Sequence, residues 1–439
     1  MRTRIVVIGG GPAGARLARR LPVTLVGEEP HAPYNRVLLA DVLAGRYGPE
    51  VITLPGIREP ARLGVRAVRI DRAARTVECA DGSLVGYDRL VLATGSNPVL
   101  PPLRGLPGGA LPRGVHSFRT LDDCLALRAA VRPGVRAVVV GGGLLGVSAS
   151  RALAALGADV VLAQQGERLM ERQLDAPASA LLREHVESLG AEVHTECRVS
   201  GLRQRDGAVT AVELADGFVL DAQVVVLACG VRPRVALARE AGLAVATGIV
   251  VDDELRTSDP YVHAVGDCAE HRGRVYGLAG PALEQADALA EVLEREARGA
   301  GAAEAEAPGT EAPEAAAPGA GIPAPSAGPA SPSASPSPPA YTGTRALTRL
   351  TLAGPRPLDL AAFGEVTARP GDDTVQLTDA TRNAYRKVVV RGDRLVGGVL
   401  LNDLAAVGAL ARAWEGDEAL PEAPLLHLLT HDGGSRHER

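Results

Sequence analysis

The sequence predicts an α/β fold: two parallel-sheet units of one design, the second inserted into the first, followed by a small α+β C-terminal domain. Three observations carry this. Two stretches share one order of strand, glycine loop, helix and strand, with apolar runs alternating with helical periodicity. Residues 299–340 are almost entirely Ala, Pro, Ser, Gly and Glu, with Ile322 the one large apolar residue, and they divide the chain. Beyond them, two β-rich runs flank Arg391-Gly-Asp-Arg394, a hairpin signal.

In order along the chain, residues 4–8 read as a strand, 13–20 as a helix and 23–26 as a strand; 137–140, 144–156 and 160–163 repeat the plan. Short β segments fall at 66–70, 76–79, 90–93, 209–214 and 224–228. The terminal hairpin pairs 387–390 with 395–401, and 402–414 reads as an amphipathic helix. The expected domains are 1–111 with 239–298, 112–238, and 341–439. Residues 299–340 read as a disordered linker, because they cannot bury enough apolar surface to offset their ordering entropy; as a flexible coil their ends lie about 40 Å apart. Both flanks look self-contained, so removing 303–336 is expected to leave the rest working.

Composition narrows the function classes. A length of 439 residues suits about three domains. Lys plus Arg number 47 against 52 Asp plus Glu, a net charge of −5, so neither nucleic acid nor an anionic membrane is the expected partner. Apolar residues at 46% rule out wholesale disorder, and aromatics at 3% leave the core to Val, Leu and Ala. Lys387 is the single lysine, a bias that GC-rich coding explains. Cys79, Cys124, Cys197, Cys229 and Cys268 are scattered with no CxxC pair, so no dithiol centre, metal site or iron–sulfur cluster is expected. The N-terminus runs directly into a strand without a signal-peptide pattern, and no run reaches 18 apolar residues; a soluble, cytoplasmic protein is expected.

The chemistry sits in the glycine loops. Gly9-Gly-Gly11-Pro12-Ala13-Gly14 follows a strand and opens a helix, the Rossmann-like dinucleotide-binding arrangement. Its glycines permit a tight turn, close approach to a pyrophosphate and close helix–sheet packing, and the helix N-terminus faces the anion. Glu28, ending the next strand, can accept bonds from ribose hydroxyls. Gly141-Gly-Gly143-Leu144-Leu145-Gly146 repeats the loop, but its second strand ends in Gln164-Gln165-Gly166 with no carboxylate. A Gln bonds a ribose without charge assistance and repels a 2′-phosphate less, which predicts weak discrimination between NADH and NADPH. Arg168 either meets such a phosphate or faces solvent.

Two further motifs complete the pattern. Ala93-Thr94-Gly95 and Ala228-Cys-Gly230-Val-Arg-Pro233 are strands running into glycine turns. Gly266-Asp267 ends a strand before a helix, where Asp267 can accept a bond from a ribityl hydroxyl while the helix N-terminus faces phosphate or a flavin carbonyl.

In this order the motifs resemble the flavoprotein reductases with two dinucleotide-binding domains, a glutathione-reductase-like arrangement, over about residues 3–297. Within that group the sequence is most similar to the flavin module of bacterial NAD(P)H nitrite reductase large subunits and assimilatory nitrate reductase electron-transfer subunits. The residues that carry this are Glu28-Glu-Pro-His-Ala-Pro-Tyr34-Asn35-Arg36, Phe118-Arg119-Thr-Leu-Asp, Arg172-Gln-Leu-Asp175, the Tyr276–Gln285 stretch and Tyr385–Gly398.

The resemblance implies that Gly11, Glu28, Arg36, Arg119 and Asp267 contact FAD, with Gly9, Pro12, Ala13, Gly14, Val68, Ala93, Thr94, Gly95 and Gly266 in the same site. It implies that Gly143 and Gly146 approach NAD(P)H, with Gly141, Leu144, Leu145, Gln164 and Gly230. The implied activity passes electrons from NAD(P)H through FAD to a separate acceptor protein, a nitrate or nitrite reductase component or a small iron–sulfur protein. Hydride transfer needs positioning and water exclusion, so no general acid or base is nominated. A rubredoxin or ferredoxin reductase is one rival reading, a flavin-bound regulatory or scaffold protein another, and a homodimer is left open.

Relatives often carry Glu where Ser148 stands, an acid where Gln164 stands, and Lys or Ser where Asp41 stands. No Cys lies within residues 34–45, which argues against the peroxide- and disulfide-reducing branch. The chain ends at Arg439 with no Cys cluster, so the iron–sulfur and sirohaem regions of nitrite reductase are not expected in it.

Overall fold

The computed structural model describes residues 3–56, 61–106, 108–305, 341–417, 419–420 and 424–429, of which 299–305 as backbone only. The first half is built on a parallel five-stranded sheet in the order Val262–Ala264, Arg89–Leu92, Ile5–Ile8, Val23–Gly27, Arg62–Leu63. Ile5–Ile8 is buried at every position, as a central strand covered on both faces requires. Val262–Ala264 returns to this sheet from late in the chain, so this half is discontinuous.

The second half repeats the design. Its parallel sheet runs Ala191–His194, Asp159–Ala163, Arg136–Val140, Val224–Leu227, Val115–Ser117. Three-stranded antiparallel sheets accompany each half, Ala67–Asp71 with Thr76–Cys79 and Leu84–Gly86 in one, Val199–Arg205 with Ala208–Leu214 and Val219–Asp221 in the other. The strands Ser96–Pro98 and Val231–Pro233, which follow the two strand-end glycine turns, pair with each other antiparallel. The two turn motifs are thereby the crossovers that join the halves.

The C-terminal region is an antiparallel sheet in the order Leu347–Leu352, Leu358–Gly364, Arg394–Leu401, Ala384–Arg391, Asp373–Asp379. Gly392 turns the hairpin at φ +61. Three of these strands, at 347–352, 358–364 and 373–379, are not among the segments expected from the sequence. The helix expected over 402–414 begins later, at Val407–Gly416. Asn402 has φ +56, and its carboxamide accepts from Asp359 N at 3.1 Å and donates to the Asn383 carbonyl at 2.9 Å, so it ends a strand and starts no helix.

This region is also less self-contained than its sequence suggests. One sheet face, with Ala361, Phe363 and Val388, packs on Trp414 and Leu410. The other, with Leu360, Ala362, Tyr385, Val399 and Leu401, belongs to the same continuous core as Val139, Leu153 and Leu182 of the second half. Tyr385 donates to Asp175 at 2.6 Å and Lys387 does so at 2.9 Å, and Asp175 also caps the helix Ala176–Ser188 through Ala178 N.

The helix Ala279–Ala305 runs seven residues into the segment read as linker. The remainder of that segment to residue 340 lies outside the described residues. Among the described residues no helix is long and apolar enough to cross a membrane.

Candidate functional site

Both glycine loops open into one cleft of about 1900 Å³. The geometry of the two loops is the same because an equivalent strand-end carbonyl stands behind each. Gly9 has φ +116, and a Cβ there would overlap the Ala93 carbonyl; Gly141 has φ +109 and faces the Ala228 carbonyl likewise. Gly11 and Gly143 are the extended N-cap residues of Pro12–Arg20 and Leu144–Ala155. A Cβ on Gly143 would meet nothing within 4 Å, and on Gly11 only the Arg36 Nε at 3.9 Å. The space beside each helix N-terminus is therefore open for a phosphate chain.

Of the sequence-predicted residues, Gly9, Gly11, Pro12, Ala13, Glu28, Arg36, Val68, Ala93, Thr94, Gly95, Arg119, Gly266 and Asp267 line this cleft. So do Gly141, Gly143, Leu144, Leu145, Gln164 and Gly230. Gly14 and Gly146 do not. Each sits behind its loop, where a Cβ would overlap the carbonyl of Gly9 or Gly141. The bare Gly146 lets the helix lie against the strand. Arg168, offered as a phosphate partner or a solvent-facing charge, is not in the cleft wall, and its Nε is buried.

In the first half, Asp267 accepts from Arg119 at 2.6 Å and from Ser96 at 2.9 Å, and Arg119 also donates to Ser96 at 2.7 Å. Gly266 N is held by the Gln285 carboxamide at 2.7 Å. Arg36 is braced by Glu29, by the Tyr34 hydroxyl at 3.0 Å and by the Arg119 carbonyl at 3.2 Å. Its guanidinium also lies over the Tyr34 ring, 4.9 Å from the centroid. Burial pushes the Tyr34 phenol up, so it remains a donor, to Glu29 at 2.6 Å. Glu28 pairs with Arg234 at 2.5 Å, and both line the cleft.

Glu29, Ser96 and Arg234 are residues that sequence reasoning missed. Only the adjacency of two acids in Glu28-Glu29 and the Tyr34-Asn-Arg36 spacing hinted at the first.

In the second half, Gln164 stands at the strand end, but its carboxamide turns onto the loop. Its Oε1 accepts from Gly142 N at 2.8 Å and its Nε2 donates to the Arg168 carbonyl at 3.2 Å. Asp41 pairs with Arg151 at 2.9 Å, joining the helix Leu39–Leu43 of the first half to the helix Leu144–Ala155 of the second. Arg151 is 4% exposed. Asp41, Ser148 and Arg151 line one part of the cleft. The acid noted as unusual at position 41 thus has a partner on the opposite half. Arg349, Leu350 and Thr351 bring the C-terminal sheet to the cleft as well.

Cys197 and Cys229 line the cleft and are free; burial lifts both thiols, Cys229 to about 11, which keeps them protonated at neutral pH.

The chain is similar to known proteins over most of its length. Residues 348–415 match the rubredoxin NAD+ reductase C-terminal domain. The chain is 32% identical over 416 residues to the nitrite reductase [NAD(P)H] of Bacillus subtilis (strain 168), covering 92% of this chain and 46% of that protein. It is 31% identical over 419 residues to the assimilatory nitrate reductase electron transfer subunit of the same organism, covering 92% and 48%. The chain therefore spans about half the length of these curated relatives. The reductase in the covalent putidaredoxin reductase–putidaredoxin complex shares the fold, with a TM-score of 0.76 at 24% identity over 94% of this chain and 93% of that one. Residues 3–286 match pyridine nucleotide-disulphide oxidoreductase, and the chain belongs to that family.

Proposed function

We propose that this chain is an FAD-dependent NAD(P)H oxidoreductase that passes electrons to a separate redox protein, a component of a nitrate or nitrite reductase system. The observation that carries this is the cleft into which both glycine loops open, which would give two dinucleotides, one at each helix N-terminus, a shared space. When bound, FAD supplies acceptance of a hydride from NAD(P)H and release of the two electrons one at a time.

The chain's residues do the positioning. The helix that begins at Pro12 offers its N-terminus to a diphosphate, with no side chain on Gly11 to block it. Arg36 is a cation held in place by Glu29 and Tyr34 before any ligand arrives, which lowers the entropy lost on binding an anion. Asp267, pinned by Arg119 and Ser96, presents its remaining acceptor capacity to ligand hydroxyls. The Asp41–Arg151 pair joins the helices of the two halves beside the cleft and would help to keep the two nucleotide sites in fixed relation. No thiolate chemistry is assigned, since the cleft cysteines are protonated thiols.

The second loop keeps the geometry of the first, which favours turnover of a pyridine nucleotide over a flavin-bound regulator. The similarity to the nitrite and nitrate reductase proteins supports the acceptor. The match of residues 348–415 to a rubredoxin reductase domain supports a second acceptor reading, a small iron–sulfur protein. A cytoplasmic location is part of the proposal.

The test is anaerobic stopped-flow mixing of the FAD-loaded protein with NADH and with NADPH, followed by addition of a nitrate reductase component or a rubredoxin. Rapid bleaching of the flavin band by either nucleotide supports the reductase. Bleaching by neither sinks it. Reoxidation by only one of the two acceptors decides between them.

A further inference from the structure

The structure places the missing acid of the second nucleotide half elsewhere. We infer that Glu171, reaching back from the turn that follows the strand, is the carboxylate that selects NADH over NADPH; this rests on the proposed nucleotide site at the second glycine loop.

Gln164 cannot serve the ribose without leaving other groups unpaired. Both ends of its carboxamide are engaged, Oε1 with the Gly142 N–H at 2.8 Å and Nε2 with the Arg168 carbonyl at 3.2 Å. Turning it outward leaves a loop N–H and a carbonyl without these partners.

Replacing Gln164 with Glu would set a carboxylate oxygen against the Arg168 carbonyl, since the donor at that end is lost.

The turn after the strand supplies the alternative. Met170 N donates to the Gly142 carbonyl at 2.9 Å, and Met170 has φ +49, so the chain reverses directly over the glycine loop. Leu169 and Met170 are buried, and the Leu169 carbonyl accepts from Ser179 at 2.8 Å, which fixes the turn. The next residue is Glu171. A Cβ built on Gly166 would overlap its carboxylate, so that group lies directly over the Gly166 Cα, two residues past Gln164. Gly166 and Glu171 both line the cleft. Glu171 is exposed and has no hydrogen-bond or ion-pair partner among the described residues, so its acceptors are free for a ligand.

A free carboxylate beside the strand end suits a vicinal diol, which donates two hydrogen bonds to it, and repels a 2′-phosphate in the same place. The neighbouring charges are of both signs. Arg172 lines the same wall, exposed, and attracts the anionic backbone of either nucleotide. Glu167 is exposed on the same turn, and Gln165 in the wall is neutral. The glycine at 166 is what makes room: any side chain there would push Glu171 off the strand end.

The experiment measures binding of NAD+ and NADP+ to the oxidised FAD-loaded protein by calorimetry, with steady-state flavin reduction by NADH and NADPH in parallel. Wild type, Glu171→Gln and Gln164→Glu are compared; Glu171→Gln is nearly isosteric at an exposed position and leaves the fold intact. The expected result is a wild-type preference for the non-phosphorylated nucleotide of tenfold or more. Glu171→Gln should weaken NAD+ about tenfold and lower the NAD+ to NADP+ preference by at least tenfold, while Gln164→Glu moves it by less. An unchanged preference in Glu171→Gln, with wild type binding both nucleotides, overturns the assignment and leaves the oxidoreductase reading standing. Wild type that binds neither nucleotide overturns both.

Discussion

Asp267, the proposed contact to FAD, is fixed by the fold on its own. Its carboxylate is held by Arg119 at 2.6 Å and Ser96 at 2.9 Å, from two segments distant in sequence. Asp267→Ala should yield protein with little FAD after gel filtration, read from the flavin absorbance per polypeptide; full retention would remove Asp267 from the cofactor site. The glycines separate by role in the same way. Gly146→Ala drives a methyl into the Gly141 carbonyl and should cost about 1–3 kcal/mol in urea unfolding, whereas Gly143→Ala, whose methyl meets no protein atom, should leave stability unchanged and weaken nucleotide binding. Reversal of that order would show the two positions to be exchanged. His263 gives a pH dependence. It lies in the strand Val262–Ala264 with no exposure, and burial lowers its pKa to about 4 from an unfolded value of 6.5. Because the unfolded chain takes up the proton first, stability is intact above pH 6.5 and declines as pH falls toward 4, by roughly 3 kcal/mol in all. Melting temperatures between pH 7 and 4.5 should fall more steeply for wild type than for His263→Leu, and parallel curves would show that other groups dominate.

At the scale of elements, one cation joins two of them. Lys387 on the strand Ala384–Arg391 reaches Asp175, the N-cap of the helix Ala176–Ser188, with side-chain exposures of 14% and 9%. Lys387→Met leaves the Asp175 carboxylate with only Tyr385 and the Ala178 N–H, and should destabilise the protein by about 3 kcal/mol in denaturant unfolding. A change below about 0.5 kcal/mol would show the pair to be no more than a surface contact.

The whole molecule constrains the segment that composition alone presents as a free tether. Tyr341, where the described chain resumes, donates its N–H to the Asp253 carbonyl at 2.7 Å, and its hydroxyl accepts from Gln285. Gln285 lies on the helix that ends at Ala305, so from that end the chain must return about 30 Å at 1.5 Å per residue. About nine extended residues are the least that can span this. Removal of 303–336, acceptable if both flanks stood alone, leaves too few and should unwind the end of the helix or pull Tyr341 from its place. Removal of 312–330 leaves enough, and flavin reduction should stay within a few-fold of wild type. Circular dichroism and stopped-flow reduction on both deletions check this; equal behaviour of the two would show that Tyr341 need not be held where it is.

By itself the sequence determined the two βαβ units, the positions of the glycine loops, the strand-end turns and the Gly266-Asp267 motif. These are local patterns: apolar periodicity and residues without a Cβ report directly on strands, helices and turns of positive φ. It also marked the terminal hairpin through Gly392. Only the tertiary structure decided what each charge does. Arg36 meets Glu29, Asp41 meets Arg151, Glu28 meets Arg234 and Lys387 meets Asp175. Apart from the first, these partners are far apart in sequence, and an arginine-rich chain offers many equivalent candidates. The same holds for Gln164 and Glu171, whose roles depend on a chain reversal at Met170 that no residue pattern announces. Side-chain pairing is set by where the backbone brings donors and acceptors together, and that placement follows from packing of the whole core.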